Sequence, residues 1–364
     1  MTLSFYIMRR FLKVVGQVFL VFFGIMMLID MVDQLRRFAP SGLTVTEAAL
    51  LAAMNVPASL YRILPLIFIL AGIALFLALA RSSELVVVRA AGRSGLRFLL
   101  APVTTALLLG ALTVAVLNPV VAGLSKEYES LLARYTRGTE NVLSVSATGL
   151  WLRQGGEGGQ TVIQAARTDL DGTRLFAATF LSYSPEGIPL RRIEAQEALL
   201  IPGAWQLSGT KTWDLTLPNP EAAAVTADRA EIASDLTREG IRDSFGDPSS
   251  IPVWALPDYI ARIEAAGFSA RAHRVWLQME LALPLLLSAM VLIAAGFTMR
   301  HARFGGTGTM VLTALLGGFA IFFLRNFAQV LGENGQIPVA LAAWSPPVAA
   351  ALLALGLLLH LEDG

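Results

Sequence analysis

The chain has no cysteine and only three histidines, His273, His301 and His360, far apart along its length. Disulfides and thiolate metal sites are therefore excluded, and no stretch gathers enough imidazoles for a histidine metal centre. Charge is scarce as well: Asp, Glu, Lys and Arg together make up 15% of the residues. Catalytic signatures are missing too. There is no GxxxxGK[ST] phosphate loop, no nucleophile elbow, no HExxH and no paired-carboxylate arrangement. The glycine run Gly155-Gly156-Glu157-Gly158-Gly159 lies between candidate strands and reads as a hairpin loop. No cofactor is expected in this chain, and any chemical energy it uses must come from a partner.

What is abundant is apolar surface. Hydrophobic residues make up 55% of the chain and mean hydropathy is +0.62, more than one soluble core can bury. Six segments reach the roughly 20 apolar residues that a bilayer span needs: 14–32, 63–80, 98–117, 276–298, 309–331 and 342–360. The first follows Arg9, Arg10 and Lys13 and lacks a small-residue cleavage site, so it is expected to be a retained anchor. A net charge of +1 carries no information here, because the membrane separates the charges of its two faces, and no nucleic-acid footprint is visible.

Basic residues in short loops set the orientation. Arg9, Arg10 and Lys13, then Arg81, Arg89, Arg93 and Arg97, then Arg300 and Arg303, place both termini in the cytoplasm. The long polar stretch after the third span is then outside. Arg36 and Arg37, and the acidic tail Leu361-Glu362-Asp363-Gly364, run against the rule but are outweighed.

That outer stretch has β texture. Apolar residues alternate over 151–153, 161–165, 175–183, 191–201 and 205–213, with turn signals at Asp171-Gly172, Ser184-Pro185-Glu186-Gly187 and Pro202-Gly203. Residues 218–250 are ambiguous, and 256–266 has helical spacing that stops at Gly267. The expected fold is a six-span helical membrane protein with an all-β, jelly-roll-like domain between spans three and four. The expected divisions are 1–120 for the first three spans, 121–270 for the outer domain with its connector helix, and 271–364 for the last three. Gly305-Gly306-Thr307-Gly308, Gly317-Gly318 and Pro346-Pro347 read as turn, packing and entry-kink features.

Between the second and third spans, Arg81 through Arg93 begins with a serine cap pattern, continues as a short helix with an apolar face and ends at glycine. It is too short and too charged to span. Two readings fit: an interfacial helix on the inner leaflet, or a coupling helix at about 82–93 that docks on a soluble ATPase with Leu85, Val87 and Val88 buried and Glu84 facing a basic residue.

The string Ser83-Glu84-Leu85-Val86-Val87-Val88-Arg89-Ala90-Ala91-Gly92, the span end Met31-Val32-Asp33-Gln34-Leu35-Arg36-Arg37 and the strand opening Gly149-Leu150-Trp151 resemble the lipopolysaccharide export permeases of the LptF/LptG family. So does the tail, from Gly335-Gln336-Ile337-Pro338 through Ala343-Trp344-Ser345-Pro346 to Leu361-Glu362-Asp363-Gly364, which is nearer the LptG side of the family. The resemblance covers nearly the whole chain. It implies an LptF-like paralogue as partner, a dimeric cytoplasmic ABC ATPase of the LptB kind that holds ATP and Mg, and lipopolysaccharide as substrate. It further implies delivery to an LptC-like membrane-anchored protein and an LptA-like bridge of jelly-roll domains. Glu84, with Leu85, Val87, Val88 and Arg89 around it, would be the ATPase contact.

Lipid A carries phosphates, and Arg36 and Arg37, joined by Arg134 and Arg137, can meet them as charge-assisted donors or snorkel to ordinary headgroups. Asp30, 17 residues past Lys13, and Arg325, 16 past Thr309, lie at matching depth, about 24–26 Å from the inner face at a rise of about 1.5 Å per residue. Their expected role is a pair flanking a gate, within the chain or with the paralogue, against the alternative that both simply reach the outer interface. A lipoprotein-releasing permease fits less well, since its large domain would follow the first span. A sensor receptor would need an output protein docked on the 82–93 helix, because the loops are short.

Overall fold

The computed structural model describes residues 2–38, 43–82, 84, 94–135, 142–146, 149–156, 159–169, 172–185, 187–237, 241, 247–265, 268–299 and 307–363. The chain divides into two compact units. One comprises Met1–Tyr135, Ser249–Trp254 and Arg271–Gly364, the other Thr136–Pro248 and Ala255–Ala270.

The first unit is helical. Its elements are α1 (Thr2–Phe38), α2 (Val45–Arg62), α3 (Leu64–Arg81), α4 (Gly95–Leu112), a π-turn (Thr113–Leu117), α5 (Asn118–Tyr135), α7 (Arg271–Thr298), α8 (Thr307–Glu333) and α9 (Val339–Asp363). Among the described residues six helical stretches, Leu3–Phe38, Leu64–Arg81, Gly95–Leu132, Arg271–Thr298, Gly308–Glu333 and Val339–His360, are long and apolar enough to cross a membrane, and they coincide with the six segments read from sequence. α7 is the hub: it packs on α3, α4, α8 and α9, with Leu286, Leu287, Met290 and Val291 fully buried. α1 buries Ile7 and Phe11 but exposes Leu20, Val21, Leu28 and Ile29. Such an apolar stripe is a liability in water and is solvated by lipid tails or another chain in a membrane.

Close approach of α4 and α7 depends on Gly110. A Cβ there would stand 2.6 Å from the Pro284 Cα. Pro284 sits inside α7, and Ser288 Oγ donates to its carbonyl at 2.9 Å.

α2 is an element the hydropathy reading missed, because it falls between two spans and is too mixed to be one. Its start is written locally, however. Thr44 and Glu47 form a capping box, with the Glu47 amide donating to Thr44 Oγ1 at 3.3 Å and the Thr44 amide to Glu47 Oε2 at 2.8 Å. Ala48 and Leu51 then pack with Phe38 and Leu43.

The second unit holds β1 (Val142–Ser146), β2 (Gly149–Gly156), β3 (Gly159–Thr168), β4 (Arg174–Tyr183), β5 (Pro189–Ile201), β6 (Ala204–Asp214), β7 (Val225–Ala233) and the helix α6 (Leu256–Ala265). The all-β domain is as expected from alternation, and β2 to β6 coincide with the five predicted runs. Among the described residues its connectivity is simpler than a jelly roll: seven strands form one antiparallel sheet in the order β1-β2-β3-β4-β5-β6-β7. Tight reversals permit this, with Gly172, Gly187 and Gly203 all at positive φ in the predicted turns. Edge strands β1 and β7 escaped the sequence reading; β7 is mostly exposed, so its alternation carries no apolar signal.

Paired residues line up across the sheet as Leu152, Ile163, Phe180 and Ile193, all buried. One row is different. The ladder omits the pairings of Ala177 with Ala166 and Gln196, and of Gly209 with Gln196 and Asp228. Ala177 and Gly209 both have positive φ. A line of unpaired residues across neighbouring strands is where a sheet bends. The bend has a consequence for the core: Phe180 and Trp205 meet edge to face at 6.1 Å. In a flat sheet their registers would hold them about 20 Å apart along the strands.

Candidate functional site

Glu84, the residue singled out for coupling, is held by its own chain. Arg10 Nη1 of α1 donates to Glu84 Oε1 at 2.6 Å, and Ser82 Oγ donates to the same oxygen at 2.7 Å. Partial burial pushes the Glu84 carboxyl up, but the Arg10 and Ser82 hydrogen bonds and the Arg10 charge outweigh it and hold the carboxyl below the usual range. Its side chain is 34% exposed, so the pair is a surface one that another cation can displace. Leu85, Val87, Val88 and Arg89 lie outside the described residues.

Arg36 and Arg37 close the last turn of α1, both exposed, and Arg37 lies over the Phe38 ring at 5.4 Å. Arg134 belongs to the last turn of α5, with its side chain outside the described residues, and Arg137 lies outside them altogether.

Among the described residues no ion pair joins Asp30 to Arg325. Asp30 Oδ1 accepts from Asn55 Nδ2 at 2.8 Å, on the unforeseen helix α2, and one turn on, the buried Gln34 donates to Tyr128 at 2.7 Å. Counting residues along isolated spans gave equal depth but not azimuth, and α2 supplies the partner that the count lacked. Arg325 is buried instead near Glu280 and Tyr61, within electrostatic reach of both.

Here the structure assembles a polar cluster that sequence reading missed. Glu280 of α7 is 0% exposed. Its Oε2 accepts from the Tyr61 hydroxyl and, at 3.2 Å, from Asn118 Nδ2. Asn118 Oδ1 in turn accepts from the Val253 amide at 2.8 Å. The π-turn just before Asn118 leaves the Ala115 carbonyl to accept from Trp254 Nε1 at 3.1 Å; π-turns recur at functional positions in helices. Breaking one partner of a buried charge arrangement of this kind typically destabilises by about 3–5 kcal/mol. The available signal was a single carboxylate, Glu280, at the start of an otherwise apolar run. Among the described residues no three of His, Asp and Glu gather to hold a metal ion.

Comparison with known proteins gives this architecture a family. The model of the family described as "Lipopolysaccharide export system permease LptF/LptG" matches residues 5–360. The lipopolysaccharide export system permease protein LptG of Escherichia coli strain K12 is 25% identical over 333 residues, 90% of this chain and 87% of that protein. Its counterpart in E. coli O6:H1 strain CFT073 matches to the same extent. The apolar helices and this match together indicate a multi-pass inner membrane protein. With the match spanning both helical halves and the β domain between them, the chain belongs to the LptF/LptG family of lipopolysaccharide export permeases.

Proposed function

We propose that this chain is the LptG-type transmembrane subunit of an ATP-driven exporter. It pairs with an LptF-like six-span paralogue, binds a dimeric cytoplasmic LptB-like ATPase that holds ATP and Mg, and holds no cofactor of its own. It takes lipopolysaccharide from the inner membrane and passes it, by way of an LptC-like protein, to an LptA-like periplasmic bridge. Both termini are cytoplasmic and the β domain is periplasmic. The observation that carries the reading is the family match over residues 5–360, and the LptG assignment rests on the LptG name of both E. coli relatives.

Other features support the finer assignments. The exposed apolar residues of α1 and α8, among them Leu20, Leu28, Phe323 and Phe327, offer surface for a paralogue and for acyl chains. Glu84, directly after the second span and held by Ser82 and by a displaceable surface pair with Arg10, supports a role as contact to the ATPase, with Leu85, Val87, Val88 and Arg89 completing that face. Arg36, Arg37, Arg134 and Arg137 bind the lipid A phosphates, Arg36 and Arg37 from the exposed end of the first span. Asp30 flanks the gate through its bond to Asn55, and Arg325 flanks it from the fifth span. Gentle purification of the tagged chain from native membranes, followed by mass spectrometry of proteins and lipid, tests the reading. Recovery of an ABC-type ATPase, a six-span paralogue and lipopolysaccharide is expected. Recovery of the chain without an ATPase or paralogue, under conditions that preserve other membrane complexes, would overturn it.

A further inference from the structure

Glu280 is not among the residues assigned above to the ATPase contact or to the lipid A phosphates, and burial in an apolar bundle is an expensive place to keep a carboxylate. Its two oxygens are used unequally. Oε2 accepts from both Tyr61 and Asn118, whereas Oε1 is buried and has no hydrogen-bond partner among the described residues. Arg325 is 8% exposed and within electrostatic reach of Glu280, yet among the described residues its guanidinium closes no ion pair. α7 and α8 pack on each other, and a buried acceptor on one with a buried cation on the other, within electrostatic reach but not joined, are the components that a salt bridge between Arg325 and Oε1 would need.

The other end of the cluster leads to a different part of the chain. Asn118 donates to Glu280 with Nδ2 and accepts the Val253 amide with Oδ1, so the orientation of one side-chain amide is fixed from both sides. Val253 and Trp254 belong to the short segment Ser249–Trp254, which clusters with the helices although the residues before and after it belong to the β unit. The hydrogen-bonded link to this segment thus runs from Glu280 of α7 through Asn118 to Val253, with Tyr61 also on Glu280 and Arg325 of α8 within electrostatic reach.

We propose that Glu280 is a positioning residue for export: its free oxygen receives Arg325 when the fifth span shifts, and Asn118 passes that change to the Val253–Trp254 segment. The inference rests on the permease reading above. Its test uses the full complex in phospholipid vesicles loaded with lipopolysaccharide. Release is measured per ATP hydrolysed, alongside hydrogen exchange of the peptide over 251–254, in which Pro252 has no amide. Glu280→Gln keeps an oxygen to accept from Tyr61 and Asn118 and removes the charge; Asn118→Leu keeps the charge and cuts the link to Val253.

For Glu280→Gln, hydrolysis is expected to persist while release per ATP falls about tenfold, and the change in Val253 exchange on ATP binding is lost. For Asn118→Leu, Val253 exchanges at least tenfold faster even without ATP, and release per ATP falls likewise. Unchanged release per ATP in Glu280→Gln overturns the inference. So does a loss of release and hydrolysis in strict proportion to the amount of folded complex, which marks a structural brace only. Should Glu280→Gln fail to assemble, Asn118→Leu and Tyr61→Phe carry the same test, and unchanged release per ATP in both overturns it. If the native complex itself shows no ATP-dependent release, the permease reading fails; if it does and the variants match it, this inference alone fails.

Discussion

Arg10 and Glu84, 74 residues apart in sequence, meet at 2.6 Å where the first span passes the end of the second. The carboxylate proposed to contact the ATPase is therefore already occupied within its own chain, so on that proposal the partner's cation would replace a guanidinium rather than find a bare charge. An exposed pair of this kind is worth about 0.2–1 kcal/mol. Arg10→Gln is accordingly expected to tighten association of the ATPase by about 1.4- to fivefold, measured by titrating the purified ATPase onto the membrane subunits. Glu84→Lys abolishes it.

The same pair has a defined pH signature. Glu84 is held below the range of an unfolded glutamate, so its contribution is present above about pH 4.3 and is lost only as pH falls through its lower folded value. The difference in melting temperature between the native chain and Arg10→Gln should stay constant from pH 8 to 6 and shrink in the acid range. A difference that changes near pH 7 would point to another group.

Packing of α4 on α7 leaves no room at Gly110. Gly110→Val forces a Cβ against the Pro284 backbone and is expected to destabilise by about 1–3 kcal/mol, seen as loss of folded protein in detergent thermal melts. Gly24→Ala on α1, where nothing lies within 4 Å, leaves the melt unchanged.

In the β domain, Gly209 sits on the bend with φ +60°, and a Cβ there would come 2.8 Å from the Gln196 Cδ. Gly209→Ala should cost about 1–2 kcal/mol. Trp205→Ala, which empties a fully buried site against Phe180, should cost about 3–5 kcal/mol. Limited proteolysis of the native and variant chains in membranes reads both, with Trp205→Ala cut faster.

For the arginines, the double variant Arg36→Gln/Arg37→Gln is expected to lower copurified lipopolysaccharide about tenfold, since each charge-assisted bond contributes about 1.5–3 kcal/mol before solvent exposure reduces it. Unchanged lipid would show that both side chains merely meet ordinary headgroups.

The spans and the central strands were legible because each carries its own period: long apolar runs for α3 or α7, alternation for β4 to β6. What escaped depends on neighbours. α2 has a capping box in plain sequence, Thr44 to Glu47, but its mixed composition hid it behind the search for spans. Asp30 and Arg325 match in depth, yet depth says nothing about which way a side chain faces: Asp30 bonds to Asn55, and Arg325 is buried within electrostatic reach of Glu280. Glu280, Tyr61 and Asn118 lie on three different elements, so only the packing of α7 against its neighbours brings them together. The bend at Ala177 and Gly209 is likewise a property of several strands at once.

The central claim, that this permease exports lipopolysaccharide by coupling to an ATPase through Glu84, is tested most directly by ATP-dependent release of lipopolysaccharide from vesicles bearing the complete complex. Native protein should release lipid only with ATP, and Glu84→Gln should lose release and ATPase stimulation together. Release that is independent of ATP, or that Glu84→Gln leaves intact, would contradict the account.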